Sequence, residues 1–136
     1  MSAFRDSTHV VVVGVYKSYE PRSYMSVQQD VGIAHEVWAK RFKQARLASG
    51  LSQKQLGIQA GLDEFVASPR INRYELGVHQ ADHPMAVRLA KVLDVPVALF
   101  YCNDDDEARM LLAFHRAPKA VRRTVLKLLT ESVADR

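Results

Sequence analysis

The chain has 136 residues, of which 48% are hydrophobic, and its 19 Lys and Arg against 15 Asp and Glu give a formal net charge of +4. This length accommodates one small domain with modest additions, and the charge is basic without being extreme. A lone cysteine, Cys102, excludes an internal disulfide, and no apolar run approaches the ~20 residues of a membrane span. We therefore predict a cytoplasmic protein without a membrane segment.

Residues 1–29 are predicted to form an N-terminal arm. His9–Tyr16 is a β-branched run that favours a short strand, and a turn-like stretch of tyrosine, proline and arginine follows it. A lone strand is not stable in water, so three outcomes stay open: it pairs with a partner chain, docks on the domain or remains loose.

Helical periodicity begins at about Asp30 and continues to Ser49, where Gly50 ends the helix. Apolar residues recur in it at intervals of three and four. The residues predicted to lie outside are Lys40, Arg41, Lys43 and Gln44.

Residues 50–77 form two short predicted helices with a polar break between them. Ser52 is a good N-cap for the first helix, and Gln55 completes a capping box with it. Ser68 is the N-cap candidate of the second helix. Pro69 would then occupy the first helical position, where its missing N–H has no cost.

The outer face of the second helix has the chemistry of base recognition. Arg70, Asn72 and Arg73 point outward in its helical pattern. Arginine matches the two acceptors of guanine in the major groove, and asparagine matches the acceptor and donor of adenine. We predict that these three side chains contact DNA bases.

Phosphate contacts are predicted beside the base contacts. Ser52, Gln53 and Lys54 lie at the start of the first helix, where free backbone N–H groups and the helix dipole favour an anion. Ser68, at the expected start of the second helix, is predicted to contact phosphate as well.

The rest of the chain is also predicted to be helical. A loop precedes a helix over Pro84–Leu93, and a short final turn after Pro96 closes the core. Residues 103–136 are predicted to form a C-terminal helical hairpin. The apolar stripe of its last helix consists of Val121, Val125, Leu128, Leu129 and Ser132. Such a hairpin packs on its own domain or forms a dimer, and we favour the dimer.

Five segments follow one family pattern in order and spacing: Arg41–Arg46, Gly50–Leu56, Ala60–Leu62, Arg70–Gly77 and Leu89–Pro96. Together they resemble the lambda-repressor and Cro-type (XRE-like) helix-turn-helix regulators. The resemblance implies an all-α fold with a five-helix DNA-binding domain over residues 30–102. It also implies an ion pair between Arg46 and Glu75, since that family pairs an arginine late in the first helix with a glutamate ending the recognition helix.

The chain departs from the family pattern between Leu62 and Ser68. Asp63–Ala67 makes this segment longer than the usual turn of about three or four residues. Because the residue before a proline avoids helical geometry, Ser68 is expected to separate the insert from the recognition helix. We expect Phe65 or Val66 to pack onto the core as an extra turn.

Metal binding and catalysis are not indicated by the sequence. His79 and His83 are four residues apart, but their segment is not predicted to be helical, so they would not share a face. The sequence has neither a Cys-x-x-Cys nor a His-Glu-x-x-His motif, and no serine or cysteine lies in a nucleophile elbow. We predict no metal, no cofactor, no catalytic residue and no enzymatic activity.

These expectations converge on a sequence-specific regulator of transcription that binds double-stranded DNA. We predict a repressor that binds a palindromic operator as a homodimer. A chain of this length is expected to leave no room for a substantial ligand-sensing domain. Two alternatives stay open. One is the DNA-binding antitoxin of a toxin–antitoxin pair, with a small protein partner, and the other is a protein-interaction module on the same fold.

Overall fold

The computed structural model describes the backbone of residues 24–136 and the side chains of residue 32 and residues 34–136. These residues form helices and contain no strand, as the all-α prediction requires. The elements are α1 (Tyr24–Ser49), α2 (Gln53–Gln59), α3 (Glu64–Glu75), α4 (His83–Leu93), a 3-10 helix (Val97–Tyr101), α5 (Asp105–Arg116) and α6 (Lys119–Ala134). None of the described helices is long and apolar enough to cross a membrane.

Helix α1 begins earlier than the sequence pattern predicts, at Tyr24 instead of about Asp30. No proline or glycine interrupts the backbone between Tyr24 and Val31, so nothing in this stretch breaks a helix. The predicted strand at His9–Tyr16 lies outside the described residues. Residues Gly32–Arg136 form one compact unit.

An aromatic cluster lies at the centre of this unit. Trp38 and Phe42 of α1 are at most 2% exposed, and Phe100 of the 3-10 helix is fully buried between them and the rest of the core. The ring centroids of Trp38 and Phe100 are 5.2 Å apart, and those of Phe42 and Phe100 are 5.7 Å apart. Tyr74 of α3 meets both α1 rings edge-on. The cluster therefore joins the last turn of α3 to the first helix of the domain.

Helix α2 is fixed by local contacts at its start and by a close approach in its middle. The Ser52 hydroxyl accepts from the Gln55 N–H at 3.0 Å, and the Gln55 side chain accepts from the Ser52 N–H at 2.9 Å. The predicted capping box is therefore confirmed. Gly57 lies against α3 so closely that a Cβ placed on it would be 2.7 Å from the Cβ of Ala67.

Helix α3 begins at Glu64 and not at Ser68, so the predicted boundary is wrong. Asp63 is the N-cap, and its carboxylate accepts from the Phe65 N–H at 2.9 Å. Pro69 lies inside the helix, where its missing N–H removes one backbone hydrogen bond, to the carbonyl of Phe65. The connection between α2 and α3 is therefore an ordinary turn over residues 60–63. The additional residues lengthen α3 instead of the turn.

Phe65 and Val66 do not pack onto the core, contrary to expectation. Phe65 is 87% exposed and Val66 is 44% exposed. The inward face of α3 is formed by Ala67, Ile71 and Tyr74, which follow one another at intervals of four and three. Because the helix already starts at Glu64, this periodicity places Phe65 and Val66 away from the inward face.

Arg41 is buried, although the periodicity of α1 predicts it on the outside. It is 8% exposed, and its guanidinium donates to the carbonyls of Cys102 and Asn103 at 2.8 Å each. It also donates to the Asp105 carboxylate at 2.7 Å, and this hydrogen bond and the accompanying charge hold the pKa of Asp105 below its ordinary value. Arg41 therefore ties α1 to the start of α5.

The two C-terminal helices differ in burial. Helix α5 contributes Ala108 to the core, and Leu111 and Leu112 pack half-buried against it. Helix α6 has no buried residue, and its predicted stripe, including Leu128 and Leu129, is accessible to solvent. The predicted hairpin therefore combines one helix that the core holds and one that it does not.

Candidate nucleic-acid interface

Helix α3 presents one continuous face to solvent, on the side opposite Ile71. Because successive residues of an α-helix are rotated by about 100°, positions three, four, seven and eight apart share a face. We define the outer face of α3 as the five exposed residues that this spacing brings together: Phe65, Pro69, Asn72, Arg73 and Leu76. The face runs ~16 Å along the helix axis, at 1.5 Å per residue.

The three predicted base-contact residues are all exposed, but they do not share one direction. Arg73 lies between the other two: Arg70, three residues before it, is its neighbour on the helix surface, whereas Asn72, one residue before it, is rotated by about 100° to the opposite edge of the outer face. The structure therefore brings Arg70 and Arg73 together and places Asn72 further round the helix. Their contacts with bases stay predictions.

Arg46 and Glu75 form the ion pair that the family resemblance implies. The Arg46 guanidinium donates twice to the Glu75 carboxylate, through Nε to Oε1 and through Nη2 to Oε2 at 3.2 Å. It also donates to the carbonyl of Leu51 at 3.0 Å. The side chains are 12% and 2% exposed, respectively. The buried pair joins the end of α3 to α1 and to the segment before α2.

Gln53 connects the start of α2 to several positions on α3. Its amide nitrogen donates to Asn72 Oδ1 at 3.2 Å and to Glu75 Oε2 at 2.9 Å. Its amide oxygen accepts from the Ser68 hydroxyl at 3.4 Å. Gln53, predicted as a phosphate contact, thus also orients the Asn72 side chain.

Ser68 lies in the second turn of α3, not at its start. Its hydroxyl is half-buried and bonded to Gln53. Because free backbone N–H groups occur only in the first turn of a helix, the reason for expecting phosphate at Ser68 no longer applies. Its contact with phosphate stays a prediction without that support.

The starts of α2 and α3 are linked by an ion pair that the sequence pattern did not indicate. Lys54 Nζ lies 2.8 Å from Glu64 Oε1, and both side chains are more than half exposed. The hydrogen bond from Lys54, together with its charge, holds the pKa of Glu64 below its ordinary value. Lys54 is the second predicted phosphate contact of α2, so a phosphate would compete with Glu64 for it. The sequence signal that could have indicated this ion pair is Glu64, the acidic residue directly after the helix cap Asp63.

Two comparisons with known proteins cover this surface. A helix-turn-helix family model matches residues 42–100, a range that contains α2, α3, α4 and most of the 3-10 helix. The crystal structure of the transcriptional regulator BswR is similar with a TM-score of 0.67 and 36% sequence identity, over 71% of this chain and 96% of that chain. No curated protein matches the chain.

Proposed function

Because the chain belongs to the lambda-repressor and Cro-type helix-turn-helix family of DNA-binding transcription regulators, we propose that it is a repressor that recognises a palindromic operator as a homodimer. The proposed location is the cytoplasm. Double-stranded DNA is the proposed ligand, and the proposed mechanism involves no metal, cofactor or catalytic residue.

The outer face of α3 is the observation that carries this proposal. Arg73 and Asn72 are exposed on it, and each can make two hydrogen bonds to the edge of one base. The helix that presents them is held by the buried Arg46–Glu75 pair and by Gln53. A rigid helix with pairable side chains is what direct reading of the major groove needs.

Helix α6 supports the homodimer. Its exposed apolar residues include Val121, Leu128, Leu129 and Val133, which are 47–62% exposed. Isolated helices are marginal in water, and most helical stability in proteins comes from packing of an apolar face. The same helix of a second copy would cover this face through a two-fold axis, with identical residues on both sides. Such a dimer would read two half-sites about one DNA turn apart.

Repression requires no additional surface in this arrangement. A dimer seated on an operator within a promoter blocks transcription by occupying the DNA. For this reason we propose repression and not activation. A promoter–reporter assay measures directly whether the protein lowers or raises transcription.

Selection of binding sites from random duplexes tests the proposal, followed by a salt titration on the selected duplex. The expected result is a palindromic motif with half-sites about 10 base pairs apart and an affinity that falls steeply with salt. Weak, salt-sensitive binding without an enriched motif would contradict the proposal. That result would favour the protein-interaction alternative, and co-purification of a small protein partner would favour the antitoxin alternative.

Substitution of Arg73 tests the base contact separately. Arg73→Ala is expected to weaken binding to the selected duplex by about 1–3 kcal/mol and to relax the preference at one base pair. The matched control is Arg109→Ala on α5, which removes the same charge from an exposed side chain. It should leave the base preference unchanged. Unchanged affinity of Arg73→Ala in a fluorescence anisotropy titration would show that the assignment of α3 to the groove is wrong.

A further inference from the structure

Phe65 is an exposed aromatic residue at the leading end of the recognition helix. It is the second residue of α3, and at 87% it is the most exposed of the large apolar side chains in the described part of the chain. Its ring has no role in holding α3 in place, because Ala67, Ile71 and Tyr74 provide the buried contacts. The ring is therefore available to a ligand.

The position of Phe65 directs the ring toward the same ligand as Arg73. The two residues are eight positions apart on one helix, so they lie on one face at ~12 Å separation along the axis. In helix-turn-helix complexes the N-terminal residues of the recognition helix contact base edges. The additional turn at the start of α3 carries Phe65 into that N-terminal position.

The polar groups around Phe65 already have partners. The Asp63 carboxylate caps the Phe65 N–H at 2.9 Å, and the Glu64 carboxylate pairs with Lys54 at 2.8 Å. The phenyl ring then remains the most exposed apolar side chain at the tip of the helix, beside the less exposed Val66. It cannot bond to a phosphate, and it cannot hydrogen-bond to a base edge.

The major groove displays one apolar group, the 5-methyl of thymine. Resting on the proposed DNA-binding function, we propose that Phe65 is a specificity-determining residue that recognises a thymine by packing its ring on that methyl group. On the outer face of α3, the apolar Phe65 and Pro69 lie nearer the start of the helix, and the hydrogen-bonding Asn72 and Arg73 lie nearer its end. The face therefore offers both kinds of group that a major groove displays partners for, thymine methyls and hydrogen-bonding base edges.

Replacing thymine with deoxyuridine tests the contact, because this change removes the methyl group and leaves base pairing intact. Each thymine of the selected duplex is replaced singly, and the dissociation constants are measured by fluorescence anisotropy. At one thymine per half-site, the wild-type protein is expected to bind about fourfold more weakly, the factor that corresponds to ~0.8 kcal/mol for one buried carbon group.

The Phe65→Ala variant is expected to bind the selected duplex more weakly and to bind the thymine and deoxyuridine duplexes equally. Its melting temperature should match that of the wild type, because the ring is exposed. The control is Arg73→Ala, which should lose affinity but retain the discrimination between thymine and deoxyuridine.

Several results would overturn the inference. A selected motif without a fixed thymine, or a Phe65→Ala variant with wild-type affinity, would exclude the contact while site-specific binding itself stands. If the Phe65→Ala variant still bound the thymine duplex more tightly than the deoxyuridine duplex, another residue would recognise the methyl group. Failure of the wild type to enrich any motif would overturn the proposed function as well, and it would be seen at the selection step, before any variant is compared.

Discussion

Helices α3 and α6 both expose large apolar side chains, yet they differ in what holds them. Helix α3 buries Ala67, Ile71, Tyr74 and Glu75, and its outer face lies on the opposite side. Helix α6 buries none of its 16 residues. An exposed apolar residue on α3 is therefore an addition to a helix that is already stabilised. On α6 the exposed stripe is the only apolar face the helix has.

This difference separates two uses of exposed apolar surface. Helix α3 can meet its ligand as a preorganised element, because its inward contacts do not depend on that ligand. Helix α6 gains its packing only when something covers its stripe, and a second copy supplies a complementary surface. Substitutions on the buried side of α3 should therefore affect the free energy of unfolding, whereas substitutions on α6 should affect association.

The largest expected effect comes from Glu75. Glu75→Ala leaves the buried Arg46 guanidinium without its carboxylate, so we expect the free energy of unfolding to fall by about 3–5 kcal/mol. The matched control on α6 is Glu131→Ala, whose exposed pair with Lys127 should contribute less than about 1 kcal/mol. Urea denaturation of both variants measures the contrast. If the Glu75→Ala variant melted normally but did not bind DNA, Glu75 would be a DNA contact and not a residue that stabilises the fold.

A smaller loss is expected from Gly57, where α2 and α3 approach most closely. Gly57→Ala places a Cβ 2.7 Å from the Cβ of Ala67 and 3.0 Å from its Cα, so the helices must move apart. We expect a destabilisation of about 1–3 kcal/mol. The second change Ala67→Gly should restore part of it, although glycine within a helix itself costs about 0.5–1 kcal/mol.

The control for the Gly57 variant is Gly32→Ala in α1, where an added Cβ meets nothing within 4 Å. That substitution should be neutral or slightly stabilising in thermal denaturation. Equal stability of Gly57→Ala and the wild type would mean that α3 is not held against α2 as closely as described.

The smallest effect on unfolding is expected from α6. Leu129 is already 47% exposed, so Leu129→Asp should change the stability of the domain by less than about 1 kcal/mol. It should nevertheless convert the proposed dimer into monomers in analytical ultracentrifugation. Thr130→Asp, on the other side of the helix, is the control and should leave the dimer intact. A dimer that survives Leu129→Asp would place the interface elsewhere.

A truncation that removes α6 should end after α5. Arg41 binds Asp105, and Ala108 belongs to the core, so a cut at residue 104 would also remove contacts of the domain. A chain that ends at residue 117 keeps these contacts and removes only α6. It therefore separates loss of the proposed dimer from loss of domain stability.

The features that were predictable from the sequence depend on residues close together in the chain. The capping box joins Ser52 and Gln55, three positions apart. Gly50, expected to end the first long helix, has a positive φ of 74°, which glycine adopts without the strain that a Cβ introduces. The start of α3 was predicted wrongly because Ser68 and Pro69 form a plausible local start signal. Asp63 forms another, and the packing of Ala67 against Gly57 favours the longer helix.

The helical class, the helix-turn-helix region and the residue types available for reading DNA follow from local sequence features, because caps, turns and periodicity act within a few positions. Which charged groups are buried and which apolar groups are exposed depends on the packing of the helices. Arg41 finds its carbonyl partner 61 residues further along the chain, and Phe65 is left in solvent by the register of a helix that other residues anchor. Burial of a charge depends on such distant partners, so a local pattern does not contain it.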